Sequence, residues 1–282
     1  MEIKASDVKA LREKTGAGMM ECKNALVTCE GDFGKAEKLL KEKGLAALEK
    51  RADRATNEGK IFIKIKDHTA ILVELVSETD FVARNPEFIA LGGAIIDRAF
   101  EKGYTEINDD LNSLVTDLAT KIRENMGLKR LKVVKAASNE YITSYIHGDG
   151  AIGVVVKVAA NPEKALADER VKAFAFDLAL HIAAFNPMAL DRSKVDAAHL
   201  AEQEEIFRKQ MEVDEKMKGK PANVVDSILK GKINKYLSDI CLVDQGFVKD
   251  EKMSVAKTME DLGKQVGAQL SIADYVYFKV GQ

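Results

Sequence analysis

The chain has 282 residues, of which 46% are hydrophobic, enough to fill the cores of two or three compact units. Its 43 Lys and Arg residues nearly balance its 45 Asp and Glu residues, so a net charge of −2 provides no overall attraction to nucleic acid. Three cysteines, at positions 22, 29 and 241, form neither a disulfide framework nor a zinc-ligand spacing. We expect no direct nucleic acid partner and a reducing compartment.

The sequence also lacks the signals of export and membrane insertion. Its first residues contain no basic segment followed by an apolar one, and no apolar run approaches the ~20 residues of a membrane span. We therefore expect a cytoplasmic protein with no membrane partner.

The first 55 residues have the spacing of short amphipathic helices. Ser6 is placed to cap the first helix, and Gly16 and Gly18 break the pattern after it. The apolar spacing predicts three short helices, each with one apolar face. The residues of the three faces are Val8 and Leu11; Met19, Cys22 and Leu26; and Phe33, Ala36 and Leu40. A further helix after Gly44 is expected to connect this three-helix bundle to the rest of the chain.

Beyond residue 56 the pattern changes to the period of two that is typical of strands. Ile61, Ile63 and Ile65 alternate with lysines and are followed by a turn at Asp67-His68 and a second strand. Two helices and another strand complete this unit. A second hairpin, turning at Gly148-Asp149-Gly150, is followed by Asn161-Pro162 and a helix, as the first hairpin is followed by Asn85-Pro86. The sequence predicts a duplicated α+β unit with antiparallel sheets.

A charged segment interrupts the second unit. Apolar pairs seven residues apart, Leu200 with Phe207 and Ile206 with Val213, and a break at 218–221 predict an antiparallel coiled-coil hairpin. Residues 275–280 read as a last strand of the second sheet. We therefore expect an α+β protein with four parts: a helical domain at 1–55, core subdomain N at 56–140, core subdomain C at 141–282, and a hairpin inserted at about 190–240.

Chemistry-bearing motifs are weak throughout the sequence. Gly16-Ala17-Gly18 follows a helix and lacks the Gly-Lys-Ser/Thr of a phosphate loop. The four histidines are scattered, and no cysteine or serine has the setting of a nucleophile. We expect no catalytic residue, metal ligand or cofactor, and we interpret His181 as a core residue.

Two loops are candidates for contact with a partner. Thr79-Asp80-Phe81-Val82-Ala83 lies between a strand and a helix, where functional loops often occur. Spacing alone favours burial of Phe81 and Val82, with Asp80 capping a turn. His147, at the tip of the second hairpin, is open to either a protruding contact or a plain turn role.

Three segments in this order resemble the bacterial translation elongation factor Ts family, whose members exchange guanine nucleotide on the GTPase elongation factor Tu. They are Leu11-Arg12-Glu13-Lys14-Thr15-Gly16-Ala17-Gly18-Met19-Met20-Glu21-Cys22-Lys23, Thr79-Asp80-Phe81-Val82-Ala83, and His147-Gly148 with Ile152-Gly153-Val154. The resemblance covers nearly the whole chain. It implies an N-terminal bundle like a ubiquitin-associated domain, two related α+β subdomains and an inserted coiled coil.

The resemblance also implies how the chain contacts the GTPase. Asp80 and Phe81 correspond to the pair that enters the GTPase domain beside its magnesium and phosphate site, with Phe81 as a wedge. The other implied contacts are Arg12, Met19, Met20 and Lys23 on the same domain, Ile122, and His147 with Gly148 on the partner's C-terminal β-domain. Such a protein makes and breaks no covalent bond, so we expect it not to be an enzyme.

Two departures from the family pattern leave details open. Arg123 stands where many members carry glycine, and the sequence ends at Gln282 soon after the last strand. Some family members continue into an extra C-terminal helix that grips the GTPase, and a homodimer or a two-to-two complex that compensates for such a helix is a further expectation. The alternatives to an exchange factor are an adaptor that uses the bundle and coiled coil, and an oligomeric enzyme with a site between subunits, for which no acid–base constellation is visible.

Overall fold

The computed structural model describes residues 3–217 and 220–282, so Lys218 and Gly219 of the predicted hairpin break lie outside the described residues. The N-terminal part is a bundle of three helices packed around a small apolar core. They are α1 (Ala5–Thr15), α2 (Met19–Thr28) and α3 (Phe33–Glu49). Gly16 ends α1 in the left-handed conformation (φ 69°), and the Asp32 side chain caps α3 by accepting from the Lys35 amide.

Three expectations for this bundle were wrong. Ser6 does not cap α1, because the helix already begins at Ala5 and its cap position is Lys4, with no side-chain hydrogen bond. The helix expected after Gly44 is the continuation of α3, because the lone glycine weakens a helix without breaking it. Met19 does not belong to the core stripe of α2. It occupies the first turn, directly after Gly18, and is 46% exposed, whereas Cys22 and Leu26 are buried.

The first α+β unit follows the bundle. Its elements are β1 (Glu58–Lys66), β2 (Thr69–Ser77), α4 (Asp80–Ala83), α5 (Pro86–Lys102), α6 (Asp109–Ile122) and β3 (Met126–Lys135). The strands form an antiparallel sheet in the order β1-β2-β3. Helices α5 and α6 cover one face, and Phe88, Ile95 and Leu111 fill the core between them and the sheet.

The second unit repeats this order with insertions. Its elements are β4 (Glu140–His147), β5 (Ile152–Asn161), α7 (Glu169–Phe185), α8 (Ala197–Val213), α9 (Ala222–Ile240), β6 (Gly246–Phe247), β7 (Asp250–Ser254), α10 (Val255–Val266) and β8 (Gln269–Lys279). Strands β4-β5-β8 form the second antiparallel sheet. The fold class is thus the predicted one, α+β with an N-terminal bundle and two antiparallel sheets.

The two Asn-Pro pairs differ, since Pro86 opens α5 whereas Asn161–Pro162 is cis and lies before a 3-10 turn.

The two sheets pack face to face, with helices on both outer sides, so the core has four layers. Residues of β2 alternate between the layers: Ile71, Val73 and Leu75 face the helices, while Ala70 and Leu72 face the second sheet. This arrangement explains why β2 is apolar at nearly every position, as strands covered on both faces are.

A buried carboxylate joins the sheets. Glu74 of β2 is fully buried, and its carboxylate accepts hydrogen bonds from Arg130 Nε at 2.5 Å and from the Gly281 amide at 2.9 Å. Arg130 also donates to the Lys279 carbonyl at 2.8 Å and lies over the Phe278 ring. Because a buried charge is costly without partners, this network ties β2 and β3 to the end of β8.

Gly153 allows the close approach of the sheets. A Cβ atom at this position would lie 2.4 Å from Ile61 Cγ2 and 3.0 Å from Ile63 Cδ1. The glycine of the Ile152-Gly153-Val154 segment is therefore a packing requirement of the interface between the sheets.

Helices α8 and α9 form the expected antiparallel hairpin. Met211, Leu229 and Leu237 are buried, and Phe207 packs edge to face against Tyr236. The predicted pair of Ile206 and Val213 is wrong, because these side chains are 40% and 79% exposed. Seven-residue spacing alone did not show which face of α8 meets α9.

Candidate partner-binding surface

The segment after β2 forms the short helix α4 and exposes one aromatic ring. Phe81 is 82% exposed, whereas Val82 and Ala83 are 7% and 5% exposed and belong to the core of the first unit. The expectation of burial is correct for Val82 and wrong for Phe81. Because α4 is a single helical turn, burial of its third and fourth residues turns the second outward. A single exposed apolar side chain is common on protein surfaces, but this ring stands at a junction between a strand and a helix, where binding residues often lie.

Polar contacts fix the start of α4. The Thr79 hydroxyl accepts from the Val82 amide at 3.3 Å and donates to Glu124 at 2.9 Å, and the Thr79 amide also donates to Glu124. Thr79, and not Asp80, is thus the helix cap. Glu124 lies 45 residues further along the chain, so the sequence offered no signal for this support.

Asp80 and Arg84 provide the polar surroundings of the exposed ring. They form an ion pair of 3.2 Å across one turn, and both side chains remain largely exposed. A pair of this kind stabilises a helix only slightly, so both groups are free to exchange partners.

The tip of the second hairpin is the other exposed candidate. His147 is exposed, and its Nδ1 atom lies 3.1 Å from the Tyr145 hydroxyl. Gly148, Asp149 and Gly150 all have positive φ, which makes the turn compact and presents His147 at its edge. The protruding interpretation of His147 therefore fits the structure better than a side chain folded into the turn.

A buried lysine joins this tip to the first unit. Lys60 of β1 is 6% exposed, although its place in the alternation predicted a solvent-facing side chain. Its ammonium donates to the Asp149 carbonyl at 2.6 Å and lies 2.6 Å from the Asp149 carboxylate, whose pKa this hydrogen bond lowers. Arg84 lowers the same pKa further, which places the tip within the electrostatic reach of α4. Asp149 is 89 residues from Lys60, so sequence spacing could not find this link.

The N-terminal bundle exposes a patch of its own at the start of α2. Met19 and Met20 are 46% and 65% exposed, and Lys23 is exposed beside them. Arg12, on α1, is also exposed. Exposed methionines suit protein contacts because their flexible side chains adapt to an apolar surface.

The junction between bundle and α6 contains Ile122 and Arg123. Ile122 is half-buried and packs against the first core, so only part of its side chain is available to a partner. Arg123 caps α6 with φ 68°, a conformation that glycine adopts without strain. Its guanidinium forms a hydrogen-bonded ion pair with Glu21 of α2, which lowers the Glu21 pKa. The arginine thus joins the bundle to the first unit.

The last polar candidate from the sequence, His181, lies in the interior of the second unit. His181 is buried, with Nε2 2.9 Å from Gln245 Oε1 and its ring near Phe185 and Phe247, and burial lowers its pKa. Within residues 3–217 and 220–282, His, Cys, Asp and Glu side chains form no group of three suited to a metal ion. Over the same residues, none of the helices has the length and apolarity to cross a membrane.

Comparison with known proteins places this architecture in a family. The family model described as Elongation factor TS matches residues 78–282. An elongation factor Ts of Treponema denticola is 51% identical over 282 residues, covering 100% of this chain and 99% of the relative. The protein of the same name from Treponema pallidum strain Nichols is 44% identical over 292 residues with the same coverage. That of Borrelia recurrentis is 39% identical, with 100% of both chains covered.

These matches define the class of protein as a translation elongation factor. Within that class, the chain belongs to the elongation factor Ts family.

Proposed function

We propose that this chain is a guanine-nucleotide exchange factor for elongation factor Tu, and that it acts by inserting Phe81 into the GTPase domain. The observation that supports this most is the 82% exposure of Phe81 on a helix whose other apolar residues are buried. Membership of the elongation factor Ts family supports elongation factor Tu as the partner. Exchange forms and breaks no covalent bond, so the protein is a binding factor and not an enzyme.

The mechanism depends on mutual weakening, in which the bound factor lowers the affinity of the GTPase for GDP. Mg²⁺ demands near-octahedral coordination, so a ring that displaces its ligands by a fraction of an ångström weakens the bound GDP. A factor that prefers the nucleotide-free GTPase must by linkage lower nucleotide affinity by the same factor. The Thr79 contacts with Glu124 matter here, because they hold α4 in place before the partner arrives.

Phe81→Ala tests the proposal directly. The ring makes little contact with its own protein, so stability should change by no more than about 0.5 kcal/mol. An aromatic residue at the centre of an interface typically contributes about 2 kcal/mol or more, so stimulated release of labelled GDP should fall about 30-fold or more. Val82→Ala is the matched control, because it shortens a buried neighbour and should affect stability more than exchange. Full exchange activity in folded Phe81→Ala protein would rule the wedge out.

We expect a division of labour between the Asp80-Phe81 wedge and the other proposed contact residues. Asp80→Ala should slow GDP release within the complex, since Asp80 lies beside the ring. Lys23→Ala, on the bundle, should mainly weaken complex formation, as should changes at Arg12, Met19, Met20, Ile122, His147 and Gly148. The rate of GDP release at saturating factor concentration reports the step within the complex, and the concentration needed for half-maximal release reports complex formation. If Asp80→Ala and Lys23→Ala changed both quantities equally, the division would be contradicted.

We place the exchange reaction in the cytoplasm, where elongation factors act. Stoichiometry is a separate question, and sedimentation of the purified complex decides between a one-to-one and a two-to-two assembly. A one-to-one complex with no dimer of the free protein at micromolar concentration would exclude the homodimer.

A further inference from the structure

A cleft of about 410 Å³ lies between the N-terminal bundle and the first α+β unit. Its apolar wall includes Leu40 and Ala47 of α3, and Thr120 of α6 lies opposite them. The volume is within the range of about 300–1,000 Å³ that small ligands occupy. Neither the wedge Phe81 nor the tip residue His147 lines this cleft.

The cleft is richer in cations than in carboxylates. Six basic side chains line it, Lys14, Lys41, Lys43, Arg51, Lys121 and Arg123, against three carboxylates, Glu21, Glu37 and Asp117. Each carboxylate already has a basic partner: Glu37 has Lys14 at 2.7 Å, Asp117 has Lys41 at 2.9 Å, and Glu21 has Arg123. Lys121 is paired with Glu87, which is not among the lining residues.

Lys43 and Arg51 take no part in these close ion pairs, although Lys43 lies within electrostatic reach of Glu21 and Arg51 within reach of Glu78. In the described part of the chain neither of them forms an ion pair with a carboxylate. They approach the cleft from α3 and from the residues directly after it. The protein as a whole carries a net charge of −2, so this excess of positive charge is local.

We propose that the cleft binds a small phosphorylated anion, with Lys43 and Arg51 contacting its phosphate groups. Cations that line one cleft add their potentials and raise the local concentration of anions. The planar fork of Arg51 suits two phosphate oxygens, while Lys43 supplies a mobile point charge. The Asn24 amide and the Thr120 hydroxyl add polar contacts, and Leu40 with Ala47 provides an apolar surface for the organic part of the ligand.

Both sides of the cleft contribute to binding, which gives the ligand an effect on structure. The bundle and α6 are joined by the Lys41–Asp117 and Arg123–Glu21 pairs, and Gly44 packs against the Thr120 methyl group. A ligand that contacts both sides stabilises this docked arrangement and therefore the position of Met19 and Met20. The site does not depend on the exchange function.

Isothermal titration of the full chain with inorganic tripolyphosphate tests the site. One saturable site per chain is expected, with changes in the amide NMR signals of Gly44, Ala47 and Thr120. The double variant Lys43→Gln/Arg51→Gln should weaken binding about tenfold or more, since it removes both unpaired charges. The matched control Lys9→Gln/Lys38→Gln removes the same charge from bundle residues that do not line the cleft, and it should bind within about twofold of the natural chain.

Several results would overturn the proposal. These are absence of saturation, equal weakening in both double variants, and NMR changes centred outside the cleft. A short single-stranded RNA that binds more tightly than tripolyphosphate would assign the charge to a macromolecule instead. Circular dichroism of both variants shows that they are folded, so lost binding in one of them is not misread as unfolding.

Discussion

Replacement of Lys60 by methionine tests whether the hairpin tip and the α4 segment act as one rigid surface. Methionine keeps the apolar stem that packs against Gly150, where a Cβ atom would lie 3.0 Å from Lys60, and it removes the ammonium. The 2.6 Å hydrogen bond from the ammonium to the Asp149 carbonyl is lost. The hairpin tip that carries His147 should then move relative to Phe81, while both of these proposed contact residues remain in the protein.

The expected loss of stability follows from the burial of Lys60. A hydrogen bond to a charged group contributes about 1.5–3 kcal/mol, and the lysine is only 6% exposed, so most of this range applies. The carboxylate of Asp149 is 81% exposed, so its ion pair is screened by water and adds little. At about 2–4 °C per kcal/mol, Tm should fall by about 3–12 °C.

Lys60→Met should weaken the affinity of the factor for the GTPase more than it lowers the maximal rate of GDP release. Ordering a loosened tip on binding costs about 0.5–1.5 kcal/mol, which raises the concentration of factor needed for half-maximal GDP release by about 2- to 12-fold. Asp149→Asn keeps the backbone carbonyl and serves as the control, with a much smaller effect. An unchanged Tm and an unchanged half-maximal concentration in Lys60→Met would refute the link between the two loops.

Two further predictions concern stability. Gly153→Ala places a methyl group 2.4 Å from Ile61 and should lower the free energy of unfolding, measured by chemical denaturation, by about 1–3 kcal/mol. Gly93→Ala, in an open helical position, should raise it by about 0.5–1 kcal/mol. Equal effects of the two substitutions would contradict close packing of the sheets. His181 has a lowered pKa in the folded state, so its contribution to stability is present above the ordinary histidine pKa of about 6.5 and is lost as pH falls. His181→Phe should reduce the loss of stability below pH 6.5, while His68→Gln, at an exposed position, should retain it.

Local patterns predicted much of the fold because they report contacts between near neighbours. The alternation of Ile61, Ile63 and Ile65 predicted a strand, and Asp67 with His68 forms the turn of the β1-β2 hairpin. A local pattern of helical period also marks α10. Val255, Met259 and Leu262 recur at helical spacing there and pack against the second core. That helix was open to prediction.

The candidate surface was less accessible to such patterns because it depends on distant contacts. Spacing could not show that Val82 and Ala83 take the buried positions of α4 and leave Phe81 outside. The ammonium of Lys60 is buried because the chain returns with Asp149 to meet it. Resemblance to the elongation factor Ts family, not periodicity, selected Phe81, and its role as a wedge stays a prediction.

The buried carboxylate of Glu74 has a consequence for the order of events during synthesis. One of its hydrogen-bond donors, the Gly281 amide, lies 207 residues further along the chain. At about 5–20 residues per second, the ribosome needs about 10–40 s to add that stretch. During this interval β2 can pair with β1 and β3, but the carboxylate lacks one of its partners and the inner face of the sheet lacks the part of its cover that Phe278 of β8 provides. A nascent chain therefore exposes part of this apolar face until its last strand emerges, and that part is open to chaperones or to aggregation in the meantime.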